Sequence, residues 1–288
     1  LFTVGLGQSF VFVLVPPLAR DLGLSVIQTS SIFAISALAW ALTSAFWGRA
    51  SDKYGRRNIA ILGLIGYAVS LIALITPLFL AEKNILNITL LFPALVLGRL
   101  INGLLGSATR PATFAYMADI TSKDDRTTQF ARLESSFLVG TVAGPLIGGF
   151  LFLISNETPF YVFSFLGFIA ACGIYLNLEK PNHIKATNNN HIKISWYSET
   201  IWPFLAFAAV LSLCQASLIQ SIGFYITDSF NGLDNLPTLI SMTFALLSIS
   251  TIVSQYLFTD AFPMNNFNLL FFGTILLIFS YFTMAFFL

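Results

Sequence analysis

One stretch of this chain reads Gly48-Arg49-Ala50-Ser51-Asp52-Lys53-Tyr54-Gly55-Arg56-Arg57, between an apolar run that ends at Trp47 and another that begins at Ile59. This stretch holds four of the 14 Lys and Arg residues of the chain. A short basic turn between two long apolar runs is typical of a loop on the cytoplasmic side of a membrane, where Lys and Arg are retained. The stretch therefore predicts a membrane protein with both flanking helices in the bilayer.

The composition points the same way. The chain is 56% hydrophobic and only 9% charged, with 30 Phe in 288 residues and a mean hydropathy of +0.81. A soluble domain carries about 25% charged residues. Most of the chain is therefore expected to lie in a lipid bilayer, and the net charge of +1, with no basic strip outside the loops, gives no indication of nucleic-acid binding.

Nine apolar stretches are long enough to be read as membrane-spanning helices, which need about 20 residues to cross the hydrocarbon core. They are 2–19, 28–47, 59–80, 88–117, 128–154, 159–178, 201–227, 236–258 and 267–288. The loops after the second, fourth and sixth stretches hold Arg49, Lys53, Arg56, Arg57, Lys123, Arg126, Lys180, Lys185 and Lys193, whereas the opposite loops hold Arg20 and Lys83. Nine basic residues against two predict that the first set of loops is cytoplasmic.

The longest polar interval, 179–200, is predicted to be a cytoplasmic linker between two bundles, at 1–178 and 201–288. It contains His183 and His191, which we interpret as solvated loop residues rather than metal ligands because no Cys or paired carboxylates accompany them. The sequence predicts no metal site elsewhere.

The basic turn also resembles the signature loop of the major facilitator superfamily, GxLaDrxGrk, with Ala50 in place of the usual Leu. The matching residues are Gly48, Asp52, Lys53, Gly55, Arg56 and Arg57. The resemblance implies an all-α membrane protein of two six-helix bundles, twelve helices in all. Because the chain starts without Met and stops inside an apolar run, we expect that only nine of the twelve are present here, the second bundle being incomplete.

The same resemblance assigns a gating role to the basic turn. Asp119 to Arg126 is similar to the acidic-to-basic end of the fourth helix in this superfamily. Asp119 is expected to pair with Arg56 or Arg126 and to form a latch on the cytoplasmic face. Exposed ion pairs contribute only about 0 to 1 kcal/mol, which is enough to bias two states of similar energy.

A second motif lies in the fifth predicted helix, where residues 140–149 match GxxxGPxxGG through Gly140, Gly144, Pro145, Gly148 and Gly149. In the superfamily this motif resembles the mark of proton-coupled antiporters. Glycines four apart let helix backbones approach closely, and proline permits a kink. The residues are predicted to form a hinge, with ordinary small-residue packing as the alternative.

The fourth helix contributes a third resemblance, to the RxxqG element of the same exporters, through Arg99, Asn102 and Gly103. An arginine near the middle of a span costs about 2.5 to 3.5 kcal/mol or more unless it faces protein or water. We therefore expect Arg99 to face the bundle in a functional role, although pairing with a backbone carbonyl is an alternative. Offsets of 4, 7 and 11 predict that Gly103, Gly106 and Arg110 share its face.

Two further charges are predicted to meet inside the bundle. Arg110 and Glu134 lie at similar distances from the cytoplasmic ends of their helices, about 12 Å at 1.5 Å per residue. The pair couples protons to substrate in one interpretation and is a static ion pair in the other. Gln8 on the first helix, where many relatives carry an acid, and Gln215 on the seventh are candidates to face a central cavity or to bond between helices.

These resemblances imply a secondary transporter that exports a small molecule, a drug, siderophore-like compound or other metabolite, by proton antiport and alternating access in the plasma (inner) membrane. The sequence contains no GxSxG element, no Walker loop and no Cys/His cluster. It therefore gives no indication of an enzyme, a cofactor or ATP hydrolysis. Two alternatives stay open: a proton symporter or uniporter that imports a nutrient, and a receptor or scaffold that keeps the fold without transport.

Overall fold

The computed structural model describes residues 1–122, 125–178, 202–230 and 266–287, together with individual residues between 239 and 257. Throughout those residues the regular structure is helical. The helices are α1 (Phe2–Asp21), α2 (Val26–Tyr54), α3 (Arg56–Glu82), α4 (Ile88–Leu104), a 3₁₀ turn (Gly106–Ala108), α5 (Thr109–Ile120), α6 (Arg126–Phe152), α7 (Thr158–Asn177), α8 (Trp202–Ser229) and α9 (Asn266–Phe287).

The predicted spans agree with this helical order. Six helical segments of the described residues, all before residue 178, are long and apolar enough to cross a membrane, with α4 and α5 counted together as Ile88–Ile120. Helices α8 and α9 cover the seventh and ninth predicted spans, whereas most of the eighth, 236–258, lies outside the described residues, as does the predicted linker 179–200. The chain forms two compact units, Leu1–Ala245 and Leu246–Leu288.

Helix starts follow local chemistry. The Ser25 hydroxyl accepts the backbone N–H of Gln28 at 3.2 Å, and the Gln28 side chain accepts the backbone N–H of Ser25 at 2.9 Å. This reciprocal capping box satisfies two of the free donors at the start of α2. At the start of α4, Asn87 accepts the backbone N–H of Thr89 at 3.1 Å.

The basic turn is shorter than the sequence suggested. Helix α2 does not end at Trp47 but continues to Tyr54, and Gly55 alone separates it from α3. Gly55 has a φ of +93°, a left-handed conformation that glycine adopts without steric cost. A helix keeps its backbone hydrogen bonds when it leaves the bilayer, so the loss of apolar residues after Trp47 ended the apolar run and not the helix.

The continuous helix predicted at 88–117 is interrupted. The chain passes from α4 through Leu105 and the 3₁₀ turn into α5, which holds Pro111 in its first turn. Proline lacks a backbone N–H and its ring clashes with the carbonyl four residues earlier, so a regular helix cannot run through Ser107 to Pro111. This helix break separates Arg110 from the other three residues expected on its face. Arg99, Gly103 and Gly106 lie against α2, whereas Arg110 contacts α6.

Helices α1 and α3 form the centre of the first unit, because about 61% of the most apolar stretch of each helix is buried. On α1, the ring of Phe10 packs edge-on against Phe160 and Phe163 of α7, with centroids 4.9 and 5.3 Å away. On α3, Ala68 receives the Ser164 hydroxyl hydrogen bond from α7 at 2.8 Å. The outer helices keep large apolar side chains exposed, as a lipid-facing surface requires.

The second unit is described mainly through α9. This helix carries apolar and aromatic side chains on its exposed surface, with Phe282 and Phe286 in contact at a centroid distance of 4.7 Å. Its composition fits a membrane-embedded helix.

Candidate functional site

The C-terminal ends of α2 and α5 and the N-terminal end of α3 meet in a charged cluster around Arg56. Its guanidinium contacts the Asp52 carboxylate at 2.8 Å and also forms an ion pair with Asp119. The Arg56 side chain is 24% exposed, and Asp119 is 35% exposed. Of the two partners expected for Asp119, the structure selects Arg56, which connects the second, third and fourth spans at one point.

Other residues of the predicted gate bind elsewhere. Arg57 donates to the Tyr175 carbonyl at the end of α7, and its guanidinium lies 5.0 Å from the centre of the Tyr175 ring. Arg126 donates to the Ala118 carbonyl at 2.9 Å instead of pairing with Asp119. Lys53 lies over the ring of Tyr54, and a Cβ on Gly48 would meet open space. No close packing therefore requires a glycine at position 48, whose carbonyl accepts the Ser51 hydroxyl at 2.7 Å.

The glycine motif of α6 lies directly against α1. A Cβ placed on Gly140 would collide with the Phe2 carbonyl oxygen, and one on Gly144 with that of Leu6. The same substitution at Gly148 would strike the Phe10 ring. The close approach expected from the motif is present, with α1 as the partner helix. Pro145 is buried beside this line of contact, and Gly149 is half-buried.

Arg110 and Glu134 form the ion pair that their positions predicted. Arg110 Nη2 donates to Glu134 Oε1, joining α5 to α6. The two side chains are 32% and 37% exposed. The Arg110 guanidinium also lies 4.7 Å from the centre of the Phe137 ring. The cation thus has one partner that can gain a proton and one that cannot.

Arg99 has a different environment. It is buried at 5% exposure, and its Nε has no hydrogen-bond partner. Within the described parts of the chain, the carboxylates in ion pairs bind Arg56 and Arg110, and none binds Arg99. Its guanidinium carbon instead lies 5.3 Å from the ring centres of both Phe12 and Phe33, which stack at 5.0 Å with an angle of 29°.

A cavity of about 200 Å³ opens beside Arg99 between α1, α2 and α4. It is lined by Gln8, Phe12, Phe33, Ser36, Ala37, Trp40, Arg99 and Asn102. Three of the residues predicted to face a cavity, Gln8, Arg99 and Asn102, therefore meet at one place. The other candidates do not: Arg110 and Glu134 lie on the far side of the helix break, and Gln215 is exposed on α8.

Sequence reasoning missed the two stacked phenylalanines, Phe12 and Phe33, that lie beside the Arg99 guanidinium. Phe12 follows Gln8 by four residues, and Phe33, Ala37 and Trp40 recur at helical spacing on α2. That spacing marks one face of each helix. In a chain with 30 Phe, however, nothing in the sequence distinguishes these rings from those that face lipid.

The charged side chains that the structure describes in this region do not form a metal site. Among the described residues, no cluster of three or more His, Cys, Asp or Glu could hold a metal ion, and Cys172 and Cys214 do not form a disulfide bond. The structure offers a protonatable ion pair, a cationic cavity and close helix contacts.

The chain is similar in sequence to curated resistance proteins of two bacteria. The chain is similar to the quinolone resistance protein NorA of Staphylococcus aureus (strain MRSA252), with 26% identity over 216 residues, which are 75% of this chain and 53% of that protein. It is also similar to the class B tetracycline resistance protein of Escherichia coli, with 29% identity over 171 residues, 59% of this chain and 39% of that protein. The chain spans about half the length of the curated relatives it matches.

The family model described as Major Facilitator Superfamily matches residues 1–288. The match covers the basic turn, the Arg99 element and the glycine motif, and it confirms the resemblance that these motifs indicated. The six apolar spans before residue 178 agree with it. This chain is an integral membrane protein that belongs to the Major Facilitator Superfamily.

Proposed function

We propose that the whole protein is a secondary transporter of the plasma membrane that exports a small molecule in exchange for protons by alternating access. Family membership and the similarity to proteins named for quinolone and tetracycline resistance support export of small organic molecules. The observation that carries the proton-coupled part of the proposal is the Arg110–Glu134 pair, a protonatable contact between the fourth and fifth spans.

In this mechanism the pair has two states. While Glu134 is ionised, the ion pair holds α5 against α6. Protonation removes the negative charge and with it the Coulomb attraction of the ion pair, which leaves a weaker hydrogen bond between the guanidinium and a neutral carboxyl. The contact of Arg110 with Phe137 does not involve the Glu134 carboxylate, so we expect it to remain after protonation. Proton binding thus releases one helix contact without leaving the arginine wholly unpartnered.

The glycine contact between α6 and α1 extends the effect of that release. Glu134 and Gly144 lie on the same helix, so a shift of α6 at Glu134 also acts where α6 touches Leu6. The Asp52–Arg56–Asp119 cluster is the proposed latch at the cytoplasmic end. Gly140, Pro145, Gly148 and Gly149 are the proposed hinge elements, and Gly55 sets the turn that presents Lys53, Arg56 and Arg57.

The direct test uses the full-length protein in proteoliposomes loaded with a quinolone or a tetracycline and a lumenal pH indicator. The membrane potential is clamped with potassium and valinomycin. Antiport predicts that substrate efflux acidifies the lumen, because protons enter as substrate leaves. Alkalinisation would instead indicate symport, efflux without a pH change a uniporter, and no efflux above protein-free vesicles a receptor or scaffold.

A further inference from the structure

Within the proposed transport function, on which this inference rests, we infer that the cavity beside Arg99 binds the carboxylate end of an anionic substrate with a flat apolar body. The guanidinium is the charged group of the site, and the stacked rings of Phe12 and Phe33 hold it in place.

The charge balance is the first step. A buried ion without a partner is unfavourable, so buried charges are normally paired and hydrogen-bonded. Arg99 is 95% buried, yet its Nε has no hydrogen bond and no carboxylate in the described residues pairs with it. The other polar lining groups, Gln8, Ser36 and Asn102, are neutral. An anionic ligand would supply the missing charge.

The local hydrogen bonds leave donors for such a ligand. The Ser36 hydroxyl already donates to the Arg99 backbone carbonyl at 2.9 Å, which fixes α2 against α4 at this point. Gln8 and Asn102 present amide groups to the cavity, and amide N–H groups donate to carboxylates. A guanidinium matches a carboxylate by two parallel N–H bonds, which favours this planar anion.

The aromatic geometry sets the second part of the ligand. Both rings lie 5.3 Å from the guanidinium carbon, within the roughly 6 Å range of cation–π attraction. They restrict the rotation of Arg99 and also form an apolar wall next to Trp40 and Ala37. A flat hydrocarbon or aromatic body attached to the carboxylate can pack on that wall.

The size of the cavity limits what it holds. Its volume of about 200 Å³ is below the roughly 300 to 1,000 Å³ of pockets that enclose a drug-sized molecule. The cavity therefore takes the charged end of a substrate with one or two fused rings. A phosphate dianion fits less well, because Arg99 is the single cation among the lining residues.

Binding of three probes with the same ring system to the full-length protein in detergent tests this inference. The probes are 2-naphthoate, neutral 2-naphthalenemethanol and cationic 2-naphthylmethylammonium, measured by calorimetry. We expect 2-naphthoate to bind at least about tenfold more tightly than the other two, as a charge-assisted contact of about 1.5 to 3 kcal/mol implies. Equal affinity for the three probes, or preference for the cation, overturns the inference.

Variants locate the site. Arg99→Gln should abolish the preference for 2-naphthoate, whereas Arg99→Lys should keep part of it because the charge remains. Arg132→Gln is the matched control, since Arg132 is an exposed arginine on α6 outside the cavity, and it should bind as the parent does. Phe12→Leu keeps Arg99 and should weaken 2-naphthoate binding severalfold, so the test does not depend on Arg99→Gln folding. Unchanged affinity in both Arg99→Lys and Phe12→Leu overturns the assignment.

The two measurements distinguish failure of the proposed carboxylate site from failure of the proposed transport function. If 2-naphthoate does not bind while proton-coupled export of another compound is intact, the inference is wrong and the proposed function stands. If 2-naphthoate binds through Arg99 while the vesicles show no transport, the site stands and the proposed function is wrong.

Discussion

Arg99 and Arg110 belong to the same membrane span, eleven positions apart, and their surroundings differ in almost every respect. Arg110 is one-third exposed and pairs with Glu134, a group that can gain a proton. Arg99 is 95% buried and lies beside two stacked phenyl rings, with no carboxylate paired with it among the described residues. One arginine therefore contacts a carboxylate that can take up a proton, and the other is a positive charge without an acidic partner among the described residues.

The helix break between them explains how one span serves both purposes. The 3₁₀ turn at Gly106–Ala108 turns α5 away from the face of α4, so that Arg110 reaches α6 while Arg99 faces α1 and α2. Side chains of α2 hold the break: Trp47 donates to the Leu104 carbonyl at 2.6 Å, and Thr43 contacts Ser107 at 2.9 Å. A 3₁₀ stretch within a helix often marks a functional hinge.

The largest effect is expected from Gly144→Leu, which acts on the Arg110 side of this comparison by displacing α6. Its side chain would occupy the position of the Leu6 backbone, so α6 must move away from α1 and carry Glu134 with it. We expect loss of transport and of interconversion between inward-open and outward-open states, because interfaces of this kind are bistable and not continuously deformable.

The measurement is the reaction of engineered cysteines with membrane-impermeant reagents, in a background where Cys172 and Cys214 are replaced by Ser. Gly173→Leu is the control, since a Cβ there meets open space. Wild-type labelling kinetics in Gly144→Leu would contradict a hinge at this residue.

The next largest effect is expected at the latch, where Arg56 pairs with both Asp52 and Asp119. Asp52→Asn removes one of the two carboxylates that bind Arg56 and should abolish most transport while the protein still inserts and folds. Because the Asp52 side chain is 59% exposed, the loss of folding free energy should stay below about 1 kcal/mol. Transport rates at equal expression measure this prediction. Asp21→Asn is the control, because Asp21 is the last residue of α1 and is not part of the latch. Equal rates in Asp52→Asn and the parent would exclude the gating role.

A double-mutant cycle sharpens the contrast between the two arginines. Arg110→Gln and Glu134→Gln each leave one member of the ion pair without its partner. Such a loss costs about 3 to 5 kcal/mol when buried and about 0 to 1 when exposed, so about 1 to 3 kcal/mol is expected for this partly exposed pair. The double variant should recover part of that loss. Strictly additive melting temperatures would show that the two side chains do not interact energetically.

The smallest effect is expected at the helix break. Trp47→Phe keeps an aromatic side chain but removes the indole N–H that donates to the Leu104 carbonyl, and loss of that hydrogen bond should cost about 0.5 to 1.5 kcal/mol. Melting of the detergent-solubilised protein measures it against Phe46→Leu, a change at a neighbouring side chain that is 53% exposed. No difference between the two variants would mean that this hydrogen bond does not stabilise the break.

Much of this architecture could be predicted because a membrane restricts the chain to apolar helices of known length. The Arg110–Glu134 pair followed from counting residues from the helix ends. The depth estimated in this way changes little when a helix boundary is wrong by one or two residues. The latch pairing followed in part, since Arg56 was one of two candidates for Asp119. The signal for the helix break was present in Pro111, but apolar periodicity alone does not register a lost backbone donor.

The environment of Arg99 lay beyond the sequence for a different reason. Its two aromatic partners come from α1 and α2, and their approach depends on the packing of three helices. Likewise, the glycine motif predicted a close helix contact but not that α1 would be the partner. Spacing within a helix defines its faces, whereas the choice of neighbour is a tertiary property.

Proton coupling through Glu134 is the central claim, and Glu134→Gln in full-length proteoliposomes tests it most directly. Glutamine cannot ionise and so resembles the protonated state permanently. The variant is compared with the parent in two assays, uphill export driven by an imposed pH gradient and substrate exchange at equal pH. The account predicts loss of gradient-driven export with exchange preserved; full gradient-driven export by Glu134→Gln would contradict it and place the protonation site elsewhere in the protein.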